Sequence, residues 1–258
     1  MMAYMGRQIA NISDISNMPR GGPHASWLDR LLQTDRDEYL DRDDVDEGVK
    51  RSVIEALDVM GVLLREHERN AEQVLMEVAT VADPRILELG AGHGQLSRKI
   101  LEQHPTATVT VSDVNPHSVA AMAASDLGGH PRATVQTIDA TAIDAPDRSF
   151  DIAVFALSFH HLPPPLASRV VAEGTRVADK LLIIDMSRWP SVLHIAKLAA
   201  MAPFALVWPF AHDGFISSLR TYSPSAIQAL AAYASPDIAV EFGPGSFDRQ
   251  VVIARRNR

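Results

Sequence analysis

The stretch that most constrains this chain is Arg85–Leu96, where a short apolar segment runs into a glycine-rich turn. The apolar segment Ile86–Leu89 carries one acid, Glu88, and three glycines at alternate positions follow within Gly90–Gly94. Apolar residues at helical spacing come next, so the order predicts strand, tight turn and helix. Glycines permit positive φ and let a ligand approach the backbone, while the helix start offers free N–H groups. The stretch therefore predicts a ligand-binding turn.

From this point onward, strand-like apolar runs alternate with helical patterns. Such alternation is typical of an α/β fold with a parallel sheet and helical crossovers. Two later runs flank a turn and are expected to pair antiparallel. The seven predicted strands are Arg85–Leu89, Thr108–Ser112, Ala133–Ile138, Asp151–Phe155, Leu181–Ile184, Ile238–Phe242 and Gln250–Ile253.

Composition narrows the class of protein. The 258 residues suit one large domain with an appended element, and the lack of cysteine excludes disulfides and thiolate metal sites. The net charge of −8 argues against a nucleic-acid partner. Residues 1–17 lack a signal-peptide pattern, and the most apolar stretch, 195–210, is too short for a membrane span. We therefore expect a cytoplasmic protein.

The first 80 residues precede the first strand. We expect a flexible N-terminus over 1–24 and a helical cap over 25–80, followed by the ligand-binding domain over 81–258. A short amphipathic helix should place Trp27, Leu28, Leu31 and Leu32 on one face. The acidic stretch 35–47 is interpreted as a solvated surface leading to the next helix.

The spacing of the three glycines separates two kinds of nucleotide site. A dinucleotide fingerprint is G-x-G-x-x-G, whereas this turn has G-x-G-x-G with an acid two residues earlier. That arrangement resembles motif I of the class I S-adenosylmethionine (SAM)-dependent methyltransferases. The resemblance implies a Rossmann-like fold with a mostly parallel seven-stranded sheet, an N-terminal helical cap and an insertion after strand 5. An NAD-type oxidoreductase is the alternative, disfavoured by the glycine spacing.

The resemblance also implies the cofactor site, with SAM bound and S-adenosylhomocysteine released. Carboxyl ends of parallel strands meet at one edge of the sheet, where ligands bind. In the family, the positions of Glu88, Asp113 and Asp139 face the methionine end, the ribose and the adenine amino group. The alternative for the two aspartates is turn formation or helix capping. The expected cofactor residues are Glu88, Gly90, Ala91, Gly92, Gly94, Asp113, Val114, Asn115, Asp139, Ala140, Phe155 and Ala156.

The segment Phe150–Pro163 opens with Phe-Asp, runs through a strand and reaches a His-His pair. It resembles motif IV of small-molecule methyltransferases, and the histidine pair with an acid after strand 5 looks like the natural-product sugar O-methyltransferases. This implies a general-base dyad drawn from His160, His161 and Asp185. A histidine near neutral pKa suits removal of an alcohol proton, and a carboxylate on its other nitrogen fixes the tautomer. Packing of one histidine against the cofactor or the N-terminal helices is the alternative.

A divalent metal held by Asp185 and a histidine is a further alternative. Imidazole and carboxylate are legitimate ligands. The sequence has no tight metal-ligand spacing, however, so no metal site is predicted.

The insertion at 187–221 carries too many aromatic residues for an exposed loop. They should line a pocket, cover the site or form a homodimer contact. The candidate acceptor-binding residues are Trp189, His212, Asp213, Arg220 and Tyr222, which could instead cap or turn the chain. The acceptor is expected to be a small molecule with a free hydroxyl, preferably a sugar or oligosaccharide, and otherwise a phenol or quinol. C-methylation of a quinone-type ring and non-catalytic SAM binding are alternatives.

Overall fold

The computed structural model describes residues 14–246 and 248–257. In this part of the chain one sheet of seven strands has the order β3-β2-β1-β4-β5-β7-β6. The strands are β1 Arg85–Leu89, β2 Thr108–Asp113, β3 Ala133–Thr137, β4 Ile152–Ala156, β5 Leu181–Met186, β6 Ile238–Phe242 and β7 Arg249–Arg256. The first five pair in parallel, and β7 runs antiparallel to both β5 and β6. The predicted Rossmann-like fold is confirmed.

Helices cover both faces of this sheet and extend beyond it. Their bounds are α1 Trp27–Leu31, α2 Glu47–Leu63, α3 Glu66–Glu77, α4 Gln95–Gln103, α5 Pro116–Ala123, α6 Pro164–Val177, α7 Ser191–Ala205, α8 Pro209–Arg220 and α9 Pro224–Ala234. Short 3₁₀ turns occupy Ile15–Asn17, Tyr39–Asp41 and Phe159–His161.

The core forms two layers because neighbouring strand residues point to opposite faces. Leu181 and Ile183 of β5 pack with α6 and α9, whereas Leu182 and Ile184 pack with α3 and α4 on the other face. Since both faces are covered, the central strands are apolar along nearly their whole length.

The strand order changes direction between the neighbouring strands β1 and β4. From β1 the chain crosses over to β2 on one side, and from β4 it crosses over to β5 on the other side. A crevice opens at such a switch point beyond the carboxyl ends of the strands. The glycine turn and the histidine pair both begin at this point.

The N-terminal segment differs from the flexible one expected over 1–24. Residues 1–13 lie outside the described part, but Ile15 and Met18 are buried in the core against α6. Arg20 is also buried, and its Nη1 donates to the backbone carbonyls of His160 and Arg220. Residues 14–24 are therefore a packed strap along the domain.

The helices expected as a cap divide between two roles. Helix α3 contributes Ala71 and Val74 to the core and packs on α4, so it belongs to the sheet's helical layer. Helix α1 does not bury its apolar face as predicted, because Trp27 and Leu31 are 73% and 70% exposed. Its buried residue is Asp29, which pairs with Arg188.

The insertion after β5 is the helical pair α7 and α8, which pack on each other. Phe210 and Phe215 are half-buried, but Phe204 and Trp208 are exposed, so these aromatic residues do not all line one pocket. Among the described residues, no helix is both long and apolar enough to cross a membrane.

Candidate active site

The glycine turn after β1 leaves room for a ligand. Gly90, Gly92 and Gly94 have φ values of 62°, 56° and 73°, which side chains rarely tolerate. A Cβ on Gly90 would lie 2.9 Å from Ser158 Oγ, and one on Gly94 would lie 2.5 Å from Leu127 Cδ1. Nothing lies within 4 Å of the corresponding position at Gly92. The outer glycines are thus required by packing, while the middle one faces open space.

The turn is tied to β2 by its backbone and by Asp113. The N–H of Ala91 donates to the carbonyl of Ser112 at 2.8 Å. Asp113 accepts from the N–H of Gly92 at 2.9 Å and from that of Asn115 at 2.8 Å. Each carboxylate oxygen has a second lone pair, so Asp113 can still accept from a hydroxyl. The half-buried carboxylate therefore suits the expected ribose contact.

Glu88 lies buried at the base of this turn. Its carboxylate accepts from the hydroxyl of Ser97 on α4, and the Ser112 hydroxyl donates to its backbone carbonyl at 2.7 Å. Burial raises the pKa of Glu88 to about 7. The acid expected at the methionine end of the cofactor is therefore held in place by serine hydroxyls.

The remaining residues expected around the adenosine lie at the ends of β2 and β3. Val114 is 64% exposed, and Asn115 caps α5 by accepting from the N–H of His117. Asp139 is exposed and accepts the backbone N–H and the hydroxyl of Thr141 on one oxygen, as a turn-forming aspartate does. Ala140 is half-buried against the core.

The end of β4 carries the histidines toward the glycine turn. Phe155 is buried beside Gly90, and Ala156 is half-buried. Leu157 has the left-handed φ of 58° that is uncommon for a branched side chain, and its N–H donates to Ile184 of β5 at 2.7 Å. This turn redirects the chain into the 3₁₀ turn Phe159–His161.

Of the two histidines, His160 is the one that contacts Asp185. Its Nδ1 lies 2.8 Å from Asp185 Oδ1, and its backbone N–H donates to Oδ2 at 2.8 Å. Burial lowers the pKa of His160, but the carboxylates of Asp185 and Glu38 outweigh it and raise the pKa to about 9. The two carboxylates therefore favour the protonated form of His160.

His161 has a different carboxylate partner. Its Nδ1 lies 2.7 Å from Asp41 Oδ2, and the two histidine rings are 4.4 Å apart. His161 is half-buried, whereas His160 is 3% exposed. The histidine that is more accessible to an acceptor is therefore His161.

Glu38 closes over both imidazoles. Its Oε1 lies 3.5 Å from His160 Nε2, and its Oε2 lies 3.7 Å from His161 Nε2. The Ser217 hydroxyl donates to Oε1 at 2.5 Å. Burial raises the pKa of Glu38, but the contacts with the two histidines and with Ser217 outweigh it, so the net shift is downward and Glu38 stays ionised.

Sequence reasoning missed Glu38 and Asp41, because the acidic stretch 35–47 has the pattern of a solvated surface. The structure shows that this interpretation is wrong for Glu38, which is 5% exposed. The available signal was Tyr39-Leu40, an apolar pair inside the acidic stretch.

His212 and Asp213 of α8 hold this segment in place. The Asp213 carboxylate accepts from the N–H groups of Tyr39 and Leu40 at 2.8 and 3.3 Å. The His212 ring stacks on Tyr39 with centroids 3.9 Å apart. Two residues expected to bind the acceptor are thus engaged with residues 39–40, which lie over the histidines.

The other expected acceptor residues are placed differently. Arg220 is 5% exposed and donates to the carbonyls of Arg36 and His161, and the 1% exposed Tyr222 donates to the carbonyl of Leu162. The structure places both in the interior, so an acceptor contact from either is not supported. Trp189 is half-buried before α7, with Lys197 Nζ 5.0 Å from its ring centre.

Comparison with known proteins bears on the glycine turn and the strands around it. Residues 86–180 match the protein family described as "Methyltransferase domain". Two curated relatives are malonyl-[acyl-carrier protein] O-methyltransferases. That of Geobacter sulfurreducens is 33% identical over 97 residues, covering 38% of this chain and 35% of the relative. That of Paenibacillus is 31% identical over 86 residues, covering 32% and 31%. The chain spans about a third of the length of these relatives.

Solved structures match over more of the chain. The plantazolicin methyltransferase BpumL, in complex with a pentazolic substrate analogue and S-adenosylhomocysteine, has a TM-score of 0.62 at 14% identity, covering 90% of this chain and 96% of that one. Human N-acetylserotonin methyltransferase in complex with SAM has a TM-score of 0.58 at 18% identity, covering 90% and 66%. These likenesses show the class I methyltransferase fold.

Proposed function

We propose, on the premise that residues 86–180 are a methyltransferase domain within a class I fold, that this protein transfers the methyl group of SAM to a hydroxyl group of a small molecule. The observation that carries the proposal is the pair of histidines next to the glycine turn, each with a carboxylate on its Nδ1. Ser158, two residues before His160, is in contact range of Gly90, so the two parts of the site adjoin.

The chemistry requires both parts. Methyl transfer from a sulfonium is an in-line displacement in which positioning supplies much of the rate. An alcohol is a poor nucleophile, so its proton must leave as the oxygen–carbon bond forms. The sulfur–carbon bond breaks in the same step and leaves S-adenosylhomocysteine.

We place the cofactor at the glycine turn, next to Asp113. The open space at Gly92 admits a ligand against the backbone, and Asp113 retains acceptor capacity for the ribose. SAM and its product have been observed in the similar solved structures. We therefore expect calorimetry to detect SAM and S-adenosylhomocysteine binding, with NAD weaker than either. Tighter NAD binding would favour the oxidoreductase.

We assign loss of the acceptor's proton to the histidine pair. His161 is the more accessible of the two, and Asp41 holds its Nδ1 as a carboxylate does in a catalytic dyad. Asp185 keeps the buried His160 oriented beside it. In this proposal His160, His161 and Asp185 belong to one proton-accepting site, and Asp41 joins the residues expected from the sequence.

The charge of the site favours a neutral acceptor. Three carboxylates, those of Glu38, Asp41 and Asp185, surround the two imidazoles. An anionic acceptor such as the malonyl group of the curated relatives would be repelled, whereas a polyol would find several hydrogen-bond acceptors. A sugar hydroxyl is therefore our first candidate, and a phenol or quinol follows.

The test is an acceptor screen with methyl-labelled SAM. Transfer to oxygen of a sugar or other hydroxyl compound, lowered by roughly two to four powers of ten in His161→Ala, would support the proposal. Unchanged S-adenosylhomocysteine affinity would show that the cofactor site is intact. Label found on a ring carbon of a quinone-type acceptor, or no transfer to any hydroxyl, would overturn it.

A homodimer remains part of the proposal. Leu206 and Val207, between α7 and α8, are 87% and 80% exposed and would suit a contact with a second copy. Sedimentation velocity, compared with a Leu206→Glu variant, tests it. The expected cytoplasmic location stays a prediction.

A further inference from the structure

We infer that Glu38, His160 and His161 bind a divalent transition-metal ion, with one coordination position left open toward the acceptor. Within the described residues these three side chains bring one donor atom each to within 4.8 Å of one another. The ligands come from two segments far apart in sequence. This explains why no metal-ligand spacing was visible.

The distances between donors suit a shared ion. Two ligands on one metal at the usual bond lengths of about 2.0–2.2 Å lie roughly 3–3.5 Å apart. Glu38 Oε1 lies 3.5 Å from His160 Nε2, and Glu38 Oε2 lies 3.7 Å from His161 Nε2. These separations are too long for good hydrogen bonds and close to those of ligands on one ion.

The atom His160 Nε2 is the second observation. It is buried, and within the described part of the chain it has no hydrogen-bond partner. Buried polar atoms are nearly always bonded, so an isolated imidazole nitrogen facing a carboxylate requires a cause. A metal ion bound between them supplies one.

The three proposed ligands also have the hydrogen-bond partners that are typical of metal sites. Histidine ligands usually donate their other N–H to a carboxylate, which fixes the tautomer and raises ligand basicity. Here Asp185 lies 2.8 Å from His160 Nδ1, and Asp41 lies 2.7 Å from His161 Nδ1. The Ser217 hydroxyl donates to Glu38 and orients that ligand as well.

The charge of the surroundings also favours a cation. The carboxylates of Glu38, Asp41 and Asp185 face this centre, with the buried Asp213 behind Tyr39. Two positive groups approach this centre from behind the ligands: Arg220 Nη1 lies 3.7 Å from Asp41 Oδ2, and Arg20 Nη1 donates to the backbone carbonyl of His160. Two imidazoles and one carboxylate suit Zn²⁺, Fe²⁺, Co²⁺ or Mn²⁺ better than Mg²⁺ or Ca²⁺, which prefer oxygen.

Three protein ligands leave a position for a substrate oxygen, as in catalytic zinc sites. In that position a hydroxyl loses its proton more readily, because the ion stabilises the alkoxide. With the ion bound, His160 and His161 would be ligands through unprotonated Nε2 atoms, so the ion would take over the part that the proposed function gives to the histidine pair. The proton would pass to water, and the oxygen would then attack the methyl carbon of SAM, with S-adenosylhomocysteine as the leaving group. This role rests on the proposed function; binding of the ion does not.

The experiment uses tag-free protein that has been treated with a chelator and dialysed. Calorimetric titration with ZnCl₂, and separately with MnCl₂, should show one equivalent bound. The Glu38→Gln variant should bind the metal ion at least tenfold more weakly than wild type. The matched control is Glu55→Gln, at an exposed position on α2, which should bind the metal ion as wild type does. Asp41→Asn, which acts through His161, should weaken binding about 10–100-fold, and Asp43→Asn is its control.

S-adenosylhomocysteine affinity of the same samples shows that each variant has folded. Absence of one-equivalent binding by the wild type, or equal binding by Glu38→Gln, would overturn the inference and leave His160 as a protonated imidazole between two carboxylates. Methyl transfer by the chelated protein separates the two proposals. If it persists without metal binding, the metal site fails and the function stands. If metal binds but no hydroxyl is methylated, the function fails and the site stands.

Discussion

At the residue scale, Glu88 links burial to the pH dependence of stability. Its pKa of about 7 in the fold lies above the ordinary value of 4.5, so between these values the native state binds more protons than the unfolded state. The free energy of unfolding should therefore fall as pH rises from 4.5 through 7, by at most about 3 kcal/mol from this group. Urea unfolding of Glu88→Gln should show a smaller fall than wild type. Equal slopes would mean that Glu88 is ionised in the fold.

Also at the residue scale, we expect substitutions of Gly92 and Gly94 to have different effects. Gly92→Ala and Gly94→Ala both place a side chain at positive φ, at a cost of about 1–2 kcal/mol. Only the Gly94 variant also clashes with Leu127, so it should show the larger drop in melting temperature. Gly92→Ala should instead lose at least tenfold in S-adenosylhomocysteine affinity, because its methyl group enters the open space. Unchanged affinity would mean that the ligand does not approach this backbone.

At the scale of elements, the segment around the 3₁₀ turn Tyr39–Asp41 contacts the histidines and is held by α8, and we predict that it acts as a lid. Trypsin cleavage after Arg36 and Arg42 should slow when SAM and acceptor are both bound, because closure buries the segment. Asp213→Ala should speed this cleavage, since it removes the acceptor for two backbone N–H groups. Cleavage after Arg148, a loop residue far along the chain, is the internal control. Rates that do not respond to ligand would indicate static packing.

At the scale of the whole molecule, Arg188 joins helix α1 to the insertion. Its guanidinium pairs with Asp29 at 3.0 Å and donates to the carbonyls of Leu32 and Thr221. Arg188→Ala should lower the free energy of unfolding by about 3–5 kcal/mol, because it leaves Asp29 buried without its counter-charge. The control is Arg148→Ala, whose half-exposed pair with Asp179 should contribute less than about 1 kcal/mol. Similar losses in urea unfolding would show that α1 is not anchored through Arg188.

The sequence by itself determined the sheet and the ligand-binding edge. The first five strands agree with their predicted bounds to within two residues, because short apolar runs and the turn residues that flank them are local properties. That a histidine of the pair would lie near Asp185 was also predictable, since the carboxyl ends of neighbouring parallel strands meet at one edge. Which of the two it would be was left open.

Only the tertiary structure decided what closes over that edge. Glu38 lies in an acidic stretch whose local pattern is that of a solvated surface, and the apolar pair Tyr39-Leu40 does not mark which acid is buried. The burial of Glu38 depends on Ser217 of α8, and Asp213 of the same helix holds Tyr39 and Leu40, so both contacts come from the far end of the chain. A carboxylate's surroundings, not its neighbours in sequence, decide whether it is solvated or buried.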